Sequence, residues 1–346
     1  MKLRYLSFAV MTASLPTHAA IELADGLTLS GFGSTSITRS DNENALFVNR
    51  QIGDSTCYDC DTIFGLQVDY NATDELRFST QVVKRPQDEW SEPELEWLYA
   101  SYEYNNLTGH IGRQRLPLFL ASEYYFVGHA YLWARPPQDV YDSILGFTSY
   151  DGISIDWQTF LSDSLELIVT PFYGISSVET IPYGLVQLEL ESDYSVGLAI
   201  DLTGVDFRVH SAIMHNQYQI QKRPTEQLTI YTLGGTYSLQ QWQIIAEIEH
   251  DDQQTAWNTS LAYHYDDWSP YITYGESHHR RKANNTIIGI RHYLTPQVSI
   301  NAEWQTVRMT QEAYQDGHNG HFGFPPIYSG SDKDASLYTV MANFVF

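Results

Sequence analysis

Apolar and polar residues alternate with period two along most of this chain, in short runs separated by polar connections. From Ile63 to Tyr70, Phe64, Leu66, Val68 and Tyr70 share one side of an extended segment, opposite Gly65, Gln67 and Asp69. After Asn71 to Glu75, Leu76, Phe78, Thr80 and Val82 alternate with Arg77, Ser79 and Gln81. Such alternation about a tight polar turn predicts a β-hairpin. The device recurs at Asn105-Asn106, Leu161 to Asp163, Thr203-Gly204, Leu239-Gln240, Asp266-Asp267 and Leu294 to Pro296. The pattern predicts sixteen strands, from Leu27–Arg39 to Ala335–Phe346, with almost no helix and no propeller-type repeat.

Short turns follow the even-numbered strands, and most connections after odd-numbered strands are longer. An even strand count with that asymmetry predicts an all-β fold, a transmembrane antiparallel β-barrel. Trp242, Ile244, Ala246 and Ile248 oppose Gln243, Glu247 and Glu249; Val298, Ile300, Ala302, Trp304 and Thr306 oppose Ser299, Asn301, Glu303 and Gln305. A soluble barrel would turn the apolar set inward, but sixteen strands enclose a lumen too wide for side chains to fill. The apolar faces are therefore expected to meet lipid and the polar faces water.

Lys2 and Arg4, the apolar run Leu6 to Leu15 and the small-residue exit Thr17-His18-Ala19 read as an export signal, cleaved after Ala19 or Ala20. Its apolar run is shorter than the ~20 residues a spanning helix needs. Residues 1–20 are thus expected to leave, with 21–346 as a single barrel domain. The chain holds 25 Tyr and 15 Phe, which suit strands and interfacial girdles. Its formal charge of −23 becomes −25 when Lys2 and Arg4 depart with the signal. That acidity excludes a nucleic-acid partner, which demands a basic footprint. The two cysteines form Cys57-Tyr-Asp-Cys60 in a polar connection. A redox motif and half a zinc site are the alternatives to a structural disulfide, which an exported chain favours.

Tyr338, Val340, Ala342, Phe344 and Phe346 share a face of the last strand and end on the final residue. This resembles the terminal strand of Gram-negative outer-membrane proteins, where a final aromatic forms part of the signal read by the assembly machinery. Leu29 to Gly33, Leu-Ser-Gly-Phe-Gly, resembles a porin first strand. With the strand count, the chain from residue 21 onward resembles the sixteen-stranded bacterial porins. The resemblance implies an outer-membrane location, passive diffusion of small hydrophilic solutes, and a homotrimer. It also implies an inward-folded third loop that narrows the barrel.

The corresponding connection runs from about Gln114 to Tyr150 and is too apolar and aromatic for a free surface loop. Phe119, Tyr124, Tyr125, Phe126, Tyr131 and Trp133 are expected to anchor it to the wall, with a sugar-gliding track as the alternative. Glu123, Asp139 and Asp142, with Arg113, Arg115 and Arg135, are candidate constriction charges; Arg77, Arg208 and Arg291 lie on polar faces and extend the set. Each of these has an alternative as a solvated charge away from the constriction. Strict alternation turns Arg113 outward unless its strand ends there or that face meets another subunit.

No G-x-S-x-G or H-E-x-x-H signature occurs, and Gly31-Phe32-Gly33 precedes no helix, so neither enzyme nor cofactor is expected. Asp316-Gly-His318-Asn-Gly-His321 has metal-ligand residue types but reads as an incidental loop, and no metal is expected. His278-His279-Arg280-Arg281 reads as a solvated basic patch that meets lipopolysaccharide phosphates at most. A barrel enzyme of lipase or protease type, and a receptor or adhesin acting through its loops, stand as alternatives.

Overall fold

A computed structural model describes residues 20–47, 50–86, 92–143, 148–183, 186–221 and 223–346; the expected signal falls outside these apart from Ala20. The strands in chain order are β1 (Ile21–Ala24), β2 (Leu27–Ser40), β3 (Ile63–Asn71), β4 (Leu76–Lys84), β5 (Glu94–Tyr104), β6 (Leu107–Arg115), β7 (Ser149–Ser162), β8 (Leu165–Ile175) and β9 (Ser177–Tyr183). They continue with β10 (Val186–Thr203), β11 (Phe207–Ile220), β12 (Glu226–Leu239), β13 (Trp242–His250), β14 (Gln254–Tyr263), β15 (Trp268–His279), β16 (Ala283–Thr295), β17 (Val298–Met309) and β18 (Ala335–Val345). Single helical turns, α1 (Gln138–Tyr141), α2 (Gln311–Gln315) and α3 (Pro326–Ser329), sit in the connections. Among the described residues no helix is long and apolar enough to cross a membrane.

Neighbouring strands pair antiparallel, and β18 returns to β2 with Phe344 opposite Gly33 and Val345 opposite Phe32. The sheet therefore closes. β8 and β9 form one interrupted stave, because β10 pairs with β8 over Ser195–Thr203 and with β9 over Val186–Ser192. β1 lies along β2 in line with the edge β18 occupies higher up. Counted this way, the wall is a closed barrel of sixteen antiparallel staves. Closure pairs the staves from β2 round to β18 on both sides, as a wall in lipid requires, while β9 pairs with β10 alone.

Burial along the staves is the reverse of a soluble core. On β13, Trp242, Ile244 and Ile248 are exposed, whereas Glu247 and Glu249 are buried. On β18, Tyr338, Val340 and Phe344 are exposed, as is Ala342, whereas Thr339 and Asn343 are buried. The period of two forces this separation, since successive side chains leave a strand on opposite faces. Apolar side chains thus clothe the outside and polar ones the inside.

The seam between the first and last staves has its own fitting. Gly31 and Phe346 exchange backbone hydrogen bonds of 3.0 and 2.9 Å. A Cβ on Gly31 would stand 2.3 Å from the Phe346 ring, and one on Gly33 2.5 Å from the Phe344 ring. Both glycines are therefore places where an aromatic ring from the end of the chain, Phe344 or Phe346, lies directly on the β2 backbone.

Several strands run further than local alternation indicated. Residues 175–193, read as a connection, contain β9 and the first part of β10, which pair as a ribbon from Ser177–Ser192 to Tyr183–Val186. Pro182 and the closely spaced acids Glu189 and Glu191 weaken the strand signal there.

Replacing Gly33 with Val should wedge the seam and lower stability by about 1–3 kcal/mol through overpacking. Urea unfolding of the refolded protein measures this; an unchanged midpoint would show that the ring-on-glycine contact contributes nothing.

Candidate functional site

The long connection from β6 to β7 (116–148) is apolar because its side chains are packed. Leu116, Leu118, Phe119, Ala121, Val140 and Tyr141 form one cluster with wall residues that include Tyr150, Phe172, Met214 and Ile230. Leu120, Tyr131, Leu132 and Trp133 form a second with Ile245, Ala262, Tyr271 and Ile287. Burying each large side chain contributes roughly 1.5–3 kcal/mol, enough to offset ordering a loop of this length.

Polar side chains from the wall then fix its backbone. Glu247 accepts from the Leu120 N–H at 2.9 Å, and Glu303 from the Ala134 N–H at 2.7 Å. Thr232 donates to the Leu118 carbonyl at 2.5 Å. Arg291 donates to the carbonyls of Gly128, His129 and Tyr131. The Trp133 indole N–H reaches Ser260 at 3.1 Å and Thr273 at 2.8 Å. Gln305 donates to the Gln138 side chain at 2.8 Å. These partners belong to β12, β13, β14, β15, β16 and β17, so the loop lies along the polar faces of that half of the wall. Burial raises the Tyr125 and Tyr141 phenols above their ordinary range, so both stay neutral.

One carboxylate gathers three donors at the other end of the loop. Asp61 accepts from Arg135 at 2.5 Å, from Arg50 at 2.9 Å and from Ser36 at 2.8 Å. The side chains of Asp61, Arg135 and Arg50 are 1%, 1% and 3% exposed. Arg135 also donates to Thr339 on β18 at 2.6 Å. The loop is thereby tied to β2, β18 and the 41–62 connection at one point.

The residues expected to form a constriction separate into three groups. Arg135, Asp139 and Arg291 are sealed, at 1%, 0% and 0% exposure, and spend their charge on the loop and its neighbours. Asp139 sits 2.9 Å from His321 and accepts from Asn285 at 3.2 Å. Arg115 pairs with buried Glu96 at 2.5 Å, donates to the Ser122 carbonyl and stacks near the Phe126 ring. A second group remains open. Glu123 is exposed, Arg77 is 47% exposed and paired with Asp69 at 2.6 Å, and Arg208 is 36% exposed and paired with Asp201 at 2.7 Å. Arg208 lies beside both Glu123 and Tyr124, and Asp156 and Asp201 lie close to Glu123. Asp142 is half-buried, and its carbonyl accepts from Arg281.

Arg113 stands apart. It pairs with Asp151 at 2.8 Å on the face that carries Leu98, Ile111 and Ile153, which are 54%, 64% and 50% exposed. The opposite face of the same strands holds Gln114 bonded to Ser154, and His110 beside Asp156. Arg113 therefore points outward, as strict alternation requires, and does not join the other charges.

Two loop motifs serve the long loop. Arg280 donates to the Ser143 carbonyl, and Arg281 to those of Gln138 and Asp142, so these two are not a free basic patch. His321 holds Asp139, and His318 lies 2.9 Å from the Arg280 carbonyl. Cys57 and Cys60 are joined as a disulfide. Asp61, Glu96 and His321 were not singled out from the sequence as loop anchors. Their only local signal is an ionisable side chain beside a cysteine, in a strand, or in a polar connection.

A closed sixteen-stave barrel, apolar outside and polar inside, is the fold of the outer-membrane porins. Among solved structures, the chain is similar to the anion-selective porin from Comamonas acidovorans, with a TM-score of 0.63 at 10% identity over 92% of this chain and 99% of that one. It is similar to Salmonella typhi OmpF in a complex with daunomycin, with a TM-score of 0.61 at 12% identity over 94% and 100%. It is also similar to OmpT, an outer-membrane protein of Vibrio cholerae, with a TM-score of 0.58 at 13% identity over 94% and 100%. At these identities the likeness is one of fold. No family model matches the sequence, and no curated protein matches it.

Replacing Arg135 with Ala takes one of two guanidiniums from buried Asp61, which keeps Arg50, and should cost about 1.5–3 kcal/mol. Asp61→Asn leaves both Arg135 and Arg50 sealed without a carboxylate and should cost more, about 3–5 kcal/mol. Denaturant unfolding of the two variants tests this, and an Asp61→Asn variant as stable as the parent would show that these ion pairs carry no load.

Proposed function

We propose that this chain is a passive channel of the Gram-negative outer membrane, which admits small hydrophilic solutes and ions through a water-filled lumen. The observation that carries the reading is the reversed burial of the wall, with charged side chains enclosed and apolar ones facing outward. The long loop folds into the lumen, on this reading, and covers the half formed by β12 to β18. The passage then runs past the other half, between Glu123 and Tyr124 on the loop and Arg77, Asp69, Asp156 and Arg208 on the wall. No reaction and no cofactor are involved, since transport runs down a gradient.

Acids outnumber bases along that passage: Glu123, Asp69, Asp156 and Asp201 face Arg77 and Arg208. Charged linings select ions by their field in a narrow space, so a weak cation preference follows. The Arg113–Asp151 pair supports assembly as a homotrimer. A charged pair among exposed apolar residues is costly against lipid and is relieved where another subunit covers it. The structural neighbours include a trimer form of Vibrio cholerae OmpT. Contact with lipopolysaccharide falls to the long-loop rim, and the outward aromatic face of β18 fits a terminal segment handled by the assembly machinery.

Planar bilayers test the reading. The refolded protein should give discrete open-channel steps, and their absence would sink it. In a salt gradient the reversal potential should report cation preference. Glu123→Gln should reduce the permeability ratio by up to about fivefold, since one charge at contact distance in water is worth about 1 kcal/mol. An unchanged ratio would remove Glu123 from the passage.

A further inference from the structure

The Cys57–Cys60 disulfide stands directly beside the carboxylate that ties down the long loop. Cys60 is 2% exposed, and Asp61 follows it in the chain. On its other side, Cys57 is held to β2 by two backbone hydrogen bonds with Thr38, of 2.8 and 3.0 Å. The Thr38 hydroxyl meets that of Thr339 at 2.8 Å, and Thr339 accepts from Arg135 at 2.6 Å. Asp61 accepts from the same guanidinium at 2.5 Å. Both ends of the cross-linked turn therefore converge on Arg135. The bond fixes the spacing between them.

We propose that this disulfide is a redox latch: its reduction frees the Asp61 turn, loosens Arg135 and lets the long loop move. The inference rests on the channel reading above, because the loop's position matters only if it borders a passage. The turn belongs to the 41–62 connection on the long-loop rim, so a reductant reaches it from that side. The reductant is a dithiol. One of its thiolates attacks the Cys57 sulfur, which belongs to a half-buried residue, while Cys60 is sealed. The Sγ–Sγ bond breaks, Cys60 leaves as a thiolate and takes a proton, and a mixed disulfide forms at Cys57. The second thiol of the reductant then displaces Cys57, closing a cyclic disulfide. Two electrons and two protons pass to the protein. In the closed turn the Asp59 carboxylate lies 3.1 Å from the Cys57 sulfur, in place to accept from the new thiol.

Single-channel recording of the full chain with dithiothreitol on the long-loop side tests the latch. Reduction should raise the conductance or its flicker by at least about twofold, and reoxidation should reverse it. Cys57→Ser/Cys60→Ser should show the reduced behaviour from the outset and ignore the dithiol. Asp61→Asn, with the disulfide intact, should show the same loosening. Alkylation and mass measurement confirm the thiol count, and the heat-dependent gel mobility of the barrel confirms that it stays folded. Unaltered conductance with both thiols alkylated would overturn the latch, as would thiols already alkylatable before reduction. Absence of any channel before reduction would instead sink the channel reading itself.

Discussion

The Asp61–Arg135 ion pair is the constraint on which the interior arrangement depends. Two fully buried charges gain little net stability from each other, because taking both from water costs about as much as their attraction returns. What the pair supplies is position. A guanidinium requires acceptors in a plane, and Asp61 and Thr339 provide them from two different segments, with Thr339 on β18 across the barrel seam from β2. Losing Asp61 would leave Arg135 and Arg50 sealed without a carboxylate, so the loop has one low-energy seat there.

The remainder of the loop is held by a different balance. Its apolar side chains supply most of the favourable free energy, and the wall acids Glu247 and Glu303 meet backbone N–H groups that burial would otherwise leave unpaired. The charges that bind the loop are thereby withdrawn from water. Arg77 with Asp69 and Arg208 with Asp201 stay in reach of water. The charges that hold the loop and those that water reaches therefore form separate sets.

Much of the fold was legible because a strand's side chains alternate strictly, so ten residues suffice to reveal a face and a turn to reveal a hairpin. The hairpin between β3 and β4 and the outward face of β18 could be read this way. The ribbon of β9 and β10 could not, since proline and acids mask its alternation. The site was only partly legible for a related reason. The loop's apolar character announced that it packs, but Arg135 meets Asp61 from 74 residues away and Thr339 from 204 away. No local pattern encodes such pairings. Alternation did place Arg113 outward, and the structure agrees; Arg291 also falls on a polar face, yet it grips loop carbonyls instead of facing open water.

Hydrogen exchange at the Leu120 and Ala134 amides tests the docked loop most directly, because both donate to wall carboxylates and to no backbone carbonyl. Exchange in a docked loop requires local unfolding and is slow, whereas a free loop exchanges at once. The expected result is protection at both amides on the timescale of minutes to hours, approaching that of the staves. Complete exchange at the earliest time point, as in an open surface loop, would contradict the account.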